Sequence, residues 1–429
     1  MSAKIQIKND SVRNFGGFFS FVDHFRKDGA EDIVNNALGH RSIFAKYSNS
    51  DIFLSLAAIF LTGGSCIEDA NRLSHIFTEI SQGYKFCSAD TILRMIKAAG
   101  SGSEEFVSKA GTKYQFSINK PLCGMLLDGL MKTGQVLAEE SHVFDYDNRF
   151  VPAEKFDAKY SYKGAFGYFP SIAQVDGLPF YIEGRDGNAN VKFEQSATLR
   201  RAFEITKGRG VTFQKARMDC GSYSEDVVRV VGEHCKEFYI RAMSCDSLRE
   251  RIKALEETDW TDVEINCQKC QLASVPFTAF LEDKGYRLVV QRTLRESGQT
   301  DVFDGEYVYR SIPTSDHNSS LLDVVLFYNQ RASTERCFDC MNNDFGWGHL
   351  PCSFMETNTV FMGIMVFLHN YYRYFLCILE GKGFGLKKTS RVKAFVFRFA
   401  SVPFKWVTVG ARRMLWLYTD NPAYLQLQV

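Results

Sequence analysis

The residue pattern of this chain predicts an α/β fold: a core that opens on antiparallel strands, a β-rich insertion within it, and an all-helical region in front. Three observations predict it. Strand-like and helical runs alternate from Val143 to Ala242 in the order βββ, α, β, α, β. From residue 256 to 318, strand-like runs recur with no strong helical pattern between them. Before about residue 110, apolar residues return at helical spacing.

Five segments follow: a helical N-terminal domain (1–120), a first core part (121–255), a β-strand insertion (256–318), a second core part (319–385) and a basic C-terminal segment (386–429). In the first, Asn49-Ser50-Asp51 is placed to cap a helix running from Ile52, which Gly63-Gly64 stops. Ser88 is placed to cap a second helix, ending at Gly100. Arg94 and Lys97 lie three apart on its polar face, either in a DNA groove or simply in solvent.

The texture changes near Pro121. Val143 to Phe150 reads as a strand. Gly167–Val175 and Leu178–Glu183 read as a hairpin across Asp176-Gly177. Ser196–Lys207 and Glu225–His234 read as helices, Val211–Asp219 and Glu237–Ala242 as strands. In the insertion the strand-like runs are Asp262–Cys267, Tyr286–Thr293 and Gly305–Ile312. Helical spacing returns over Leu321–Cys340 and Val360–Leu379.

With 429 residues the chain is long enough for two or three domains. Its 45% hydrophobic and 24% charged residues are ordinary for a soluble globular protein. A net charge of +1 excludes a polycation but not a local basic stripe. From Gly381 onward nine Lys or Arg accompany one acid, Asp420, so an anionic partner is expected there. The first residues lack the apolar run of a signal peptide, and twelve cysteines then read as reduced thiols in a cytoplasm. The longest apolar run, Val360 to Leu368, is nine residues, too short to span a bilayer.

Chemistry concentrates in three places. In Phe144-Asp145-Tyr146-Asp147, period two puts both acids on one strand face, where burial is costly unless a cation or base meets them. Asp219 ends the strand through Arg217-Met218, the end where α/β sites gather. In Tyr328-Asn-Gln-Arg331-Ala-Ser-Thr-Glu335, spacings of three and four put tyrosine, arginine and glutamate on one face of a helix. Separated carboxylates beside a basic helix face point to two-metal phosphoryl transfer. Two Cys-x-x-Cys pairs, Cys267/Cys270 and Cys337/Cys340, lie too far apart for a compact zinc module and read as buried thiols.

These residues resemble the DDE transposases of bacterial insertion sequences. That family's glutamate motif is Tyr, two residues, Arg, three residues, Glu, six residues, Lys. Here it reads Tyr328, Arg331, Glu335, with Asn342 in the lysine position and Lys387 or Lys388 as alternative phosphate contacts. Arg217-Met-Asp219 and Asp145-Tyr-Asp147 resemble the two aspartate blocks. The resemblance implies an RNase H-like core and a metal set of Asp219, Glu335 and Asp147, with Asp145 as the alternative first ligand. It implies two Mg²⁺ ions, or Mn²⁺ in their place. Tyr328 and Arg331 would brace the cut strand, and Arg94, Lys97, Lys387, Lys388, Arg391 and Lys393 would contact DNA. Implied partners are double-stranded DNA, as terminal inverted repeats and target, and a second copy of the chain, with no membrane. A DNA-binding transposase without catalysis, or an RNase H-like nuclease, is the alternative.

Overall fold

In the computed structural model, described over residues 5–6, 10–39, 41–77, 84–295 and 306–428, one sheet organises the chain. Five helices come first: α1 (Phe18–Lys27), α2 (Ala30–Ala37), α3 (Asn49–Leu61), α4 (Ala70–Phe77) and α5 (Ala89–Ala98). The α3 cap is Ser48, one residue before the expected triplet. Its hydroxyl accepts from the Asp51 amide while the Asp51 carboxylate accepts from the Ser48 amide. Every residue of α3 is buried, so this helix is a core element rather than an amphipathic one.

Two strands that the sequence pattern does not predict follow, β1 (Glu104–Val107) and β2 (Lys113–Ile118), then helix α6 (Lys120–Lys132). Next come β3 (Ser141–Asn148), the short β4 (Val151–Pro152), β5 (Lys159–Tyr160) and β6 (Phe166–Tyr168), and the pair β7 (Ser171–Val175) and β8 (Leu178–Arg185). The β7–β8 turn is the expected one. Asp176 and Gly177 both have positive φ, 51° and 80°, as a two-residue hairpin loop requires. The Asp176 carboxylate holds the turn to β3, accepting from the Val143 amide and meeting His142 Nδ1 at 2.6 Å.

Alternation then proceeds as expected: α7 (Gln195–Lys207), β9 (Thr212–Met218), α8 (Glu225–His234) and β10 (Cys235–Ile240). Helix α9 (Asp246–Lys253) closes the first core part, and the insertion contributes β11 (Thr261–Ile265), β12 (Gln268–Pro276), β13 (Arg287–Leu294) and β14 (Tyr307–Thr314). Strand β12 escapes the sequence pattern because its apolar residues do not alternate cleanly. Gly305, where the last strand-like run of the insertion begins, lies outside the described residues. The chain continues through α10 (Leu321–Asn329), α11 (Ala332–Asp344), α12 (Met355–Leu379), the short α13 (Val392–Phe395) and the hairpin β15 (Phe404–Val409)–β16 (Arg412–Leu417).

The main sheet has eleven strands in the order β1-β2-β8-β7-β3-β9-β10-β14-β13-β12-β11. At its centre β3 runs parallel to β9, and β9 to β10. On the other side β3, β7 and β8 are antiparallel neighbours. The insertion strands do not form a sheet of their own. They extend the same one, because β14 pairs with β10 at Tyr239 and Thr314.

Helix α12 is the spine of the largest core, buried from Thr357 through Tyr372. It lies on α6 and β8, and the phenylalanines of α1 pack on its Tyr371 and Phe375. Among the described residues no helix is long and apolar enough to cross a membrane. Close approach of α12 relies on missing side chains. A methyl on Gly184 of β8 would collide with Thr359 Oγ1, and one on Gly363 would lie 2.5 Å from Leu122. Gly184→Ala is therefore expected to cost about 1–3 kcal/mol, since overpacking forces backbone shifts, read as a lower denaturation midpoint at unchanged slope.

Candidate active site

The two aspartate blocks meet through strand register. On the parallel pair β3 and β9, Asp145 lies opposite Arg217 and Tyr146 opposite Met218. Carrying that register onward aligns Asp147 with Asp219. Period two then sorts one sheet face into an ion pair followed by two like charges.

The ion pair is buried. Arg217 Nε donates to Asp145 Oδ1 at 2.9 Å and Nη2 to Oδ2 at 2.7 Å, a bidentate geometry. Arg217 Nη1 also donates to the Phe327 carbonyl at 3.1 Å, and its guanidinium lies over the Phe327 ring. Burial pushes the Asp145 carboxyl above its usual range and Arg217 pulls it back. Both carboxylate oxygens are thus committed, which places Asp145 outside the open cleft. Arg217→Met should cost about 3–5 kcal/mol, because it strands a buried carboxylate. The double variant Arg217→Met/Asp145→Leu should recover most of that loss in urea denaturation, and equal losses in the two variants would show that the pair itself is not the cause.

Asp147 and Asp219 open onto a cleft of about 740 Å³, also lined by Arg149, Tyr162, Lys163 and Asn342. Asp219 caps a short turn, its Oδ1 accepting from the Gly221 amide at 3.0 Å. Asp147 Oδ2 accepts from Arg331 Nη2 at 2.7 Å and Oδ1 from the Asn148 amide. Burial raises the Asp147 carboxyl to about 6, opposed by Arg331 and reinforced by the charge of Asp219. Arg331 stays charged: burial works against it, and Asp147 and Asp219 more than offset that. Its Nε is buried without a hydrogen-bond partner.

A carboxyl raised by folding has a definite pH signature. The unfolded chain releases this proton near pH 4, the folded chain near pH 6, so the folded state binds more protons between them. Stability from this group falls as pH rises through that window. With chelator present, Asp147→Asn should be more stable than the parent at pH 8, by about 1–3 kcal/mol, and equal to it near pH 4. Thermal melts across pH check this, and a gap that widens toward low pH would reverse the assignment.

The glutamate motif departs from expectation. Tyr328, Arg331 and Glu335 do not share one unbroken helix. The chain breaks between α10 and α11, where the amides of Gln330 and Arg331 bond three residues back rather than four. Tyr328 is buried with the Arg241 guanidinium 5.4 Å over its ring. Neither Arg331 nor Glu335 lines the cleft: Arg331 joins the site through its bond to Asp147, whereas Glu335 is exposed on the first turn of α11. Among the described residues no three His, Cys, Asp or Glu side chains are gathered closely enough to hold an ion.

Other expected contacts sort differently. Arg391 is committed to Asp339 and Asp344 of α11, so it fastens the tail to that helix instead of being free for DNA. Lys387, Lys388 and Lys393 are exposed, as are Arg94 and Lys97 on α5. Cys337 and Cys340 are buried, and burial raises both thiols to about 12. Sequence reasoning missed Lys163, which supplies a cation to the cleft near Asn342, and Arg241. Neither lies in a motif; only the fold brings them here.

The model of the family described as transposase DDE domain group 1 matches residues 16–377. No curated protein matches. Among solved structures, the piggyBac transposase synaptic complex with hairpin DNA, determined by cryo-electron microscopy, aligns at 11% identity with a TM-score of 0.43, covering 90% of this chain and 79% of that one.

Proposed function

The chain belongs to the DDE transposase family, and we propose that it cuts and joins the DNA ends of an insertion sequence by metal-dependent phosphoryl transfer. The observation that carries this reading is the alignment of Asp147 with Asp219 on one cleft, with Arg331 of the glutamate motif hydrogen-bonded to the first. The strand order β8-β7-β3-β9-β10, antiparallel on one side and parallel on the other, supports an RNase H-like core.

The residues at the cleft fit a hard divalent cation. Two adjacent carboxylates, one of them held by burial above its usual pKa, favour an added positive charge. Asp147 and Asp219 would hold Mg²⁺, and Glu335, which does not line the cleft in this structure, would be the third ligand in this reading. Metal bound there supplies an activated oxygen nucleophile and charge at the leaving oxygen. Arg331 acts on the anion instead. Its Nη2 holds Asp147 and its unpartnered Nε is left for another acceptor, such as an oxygen of the strand being cut. Asp145 positions the strand through Arg217. Lys163 would stand in the cleft for the motif's lysine, which Asn342 replaces. Terminal inverted repeats and target DNA are the substrates in this reading, bound by two copies of the chain in a cytoplasm.

Asp219→Ala should abolish strand cleavage on DNA carrying the element's ends while leaving DNA affinity nearly intact, because affinity comes mostly from phosphate contacts. Asp147→Asn should be equally inactive, and Asp145→Asn should retain measurable cleavage at reduced stability. Cleavage at the parent rate by the Asp219→Ala protein would refute the metal assignment. DNA binding by the parent without any cleavage in Mg²⁺ or Mn²⁺ would favour the binding-only alternative.

A further inference from the structure

A second cavity adjoins the cleft, and phosphoryl transfer at Asp147 and Asp219 leaves it unused. Its volume is about 420 Å³, between the end of β10, helix α9 and strand β14. Its charged lining is entirely basic: Arg241, Arg249, Lys253 and Arg310, with no aspartate or glutamate. Cys220 lines this cavity and the cleft alike, so the two spaces meet at the residue after Asp219.

These cations are mostly uncompensated. Arg249 is paired with Asp246 at 3.3 Å. Among the described residues, no carboxylate forms an ion pair with Arg241, Lys253 or Arg310. Arg241 is half-buried and packs its guanidinium on Tyr328. Burial lowers its pKa, and the charges of Arg310 and Arg331 lower it further. Arg241 and Arg310 thus line one cavity, Arg331 holds Asp147, and the charges of Arg310 and Arg331 both act on Arg241. Like charges gathered at a partly desolvated site repel unless an anion joins them. Guanidiniums are suited to phosphate oxygens in both geometry and charge.

We propose that the cavity lined by Arg241, Lys253 and Arg310 binds a backbone phosphate of the DNA strand, next to the phosphate that reacts between Asp147 and Asp219. The inference rests on the transposase reading and adds to it a site on the insertion. The insertion thereby acquires a role, since its strand β14 carries Arg310 to the edge of the reacting centre, alongside Lys253 of α9.

The test uses the full chain, chelator in place of metal, and a short nicked DNA duplex as probe. Affinity is measured across salt concentrations for the parent, Arg310→Gln, Arg310→Lys and Arg241→Gln/Arg310→Gln. In parallel, alkylation of the exposed thiol of Cys220 is mapped by mass spectrometry with and without the duplex. The double variant should flatten the slope of log affinity against log salt by about 0.9, the loss of one phosphate contact. The duplex should shield Cys220 in the parent and in Arg310→Lys, and less in both Gln variants. Arg310 is exposed, so Arg310→Gln will fold and decides the matter alone if Arg241→Gln does not. An unchanged slope with Cys220 equally shielded would overturn the cavity assignment and leave the transposase reading standing. A parent protein that binds no DNA would overturn both.

Discussion

The buried Asp145–Arg217 pair is the constraint on which the site depends. It joins the first and fourth strands of the core and, through the Phe327 carbonyl and ring, docks the helix that leads into the glutamate motif. A buried pair of this kind adds little net stability over an apolar substitute, because desolvation offsets the attraction. Its effect is on register. A one-residue slip of β3 against β9 would separate the charges and strand both, so the pairing that places Asp147 beside Asp219 is strongly specified.

Two residues further along the same strands, the sign of the interaction reverses. Asp147 and Asp219 repel, burial adds to the cost, and Arg331 relieves part of it, helped by the Asn148 amide and the charge of Arg149. A site of that sort destabilises the free protein and favours a cation that balances it. Such local conflict is expected where function rather than folding selected the residues. Arg331 links the two sides of the chemistry, since one nitrogen serves the carboxylate and another remains without a partner.

The insertion gains meaning from its continuity with the sheet. Because β14 pairs with β10, the residues that follow the core's last parallel strand are carried straight to the site's flank. Arg241 immediately follows β10, and its guanidinium covers Tyr328 of the glutamate motif. A separate insertion domain on a loose tether would have given no such placement.

Sequence alone determined a good deal: the alternation of strands and helices from β3 to β10, the hairpin at Asp176-Gly177, the acid positions, and the spacing of Tyr328, Arg331 and Glu335. Those signals are local, set by period-two and period-3.6 burial, by turn chemistry and by fixed spacings. It did not reveal β1, most of whose residues are exposed, or its partner β2, or the break after Asn329, where the backbone stays near helical while its hydrogen bonds shorten by one residue. Nor could it say which of Asp145 and Asp147, which share a strand face, opens onto the cleft. That choice turned on a partner 72 residues away: Arg217 occupies Asp145, and the next step of the register leaves Asp147 facing the cleft. The same holds for Arg391, which reads as a DNA contact until α11 presents two aspartates to it. Charge in a sequence states what a side chain is able to bind, and only tertiary structure decides which partner reaches it first.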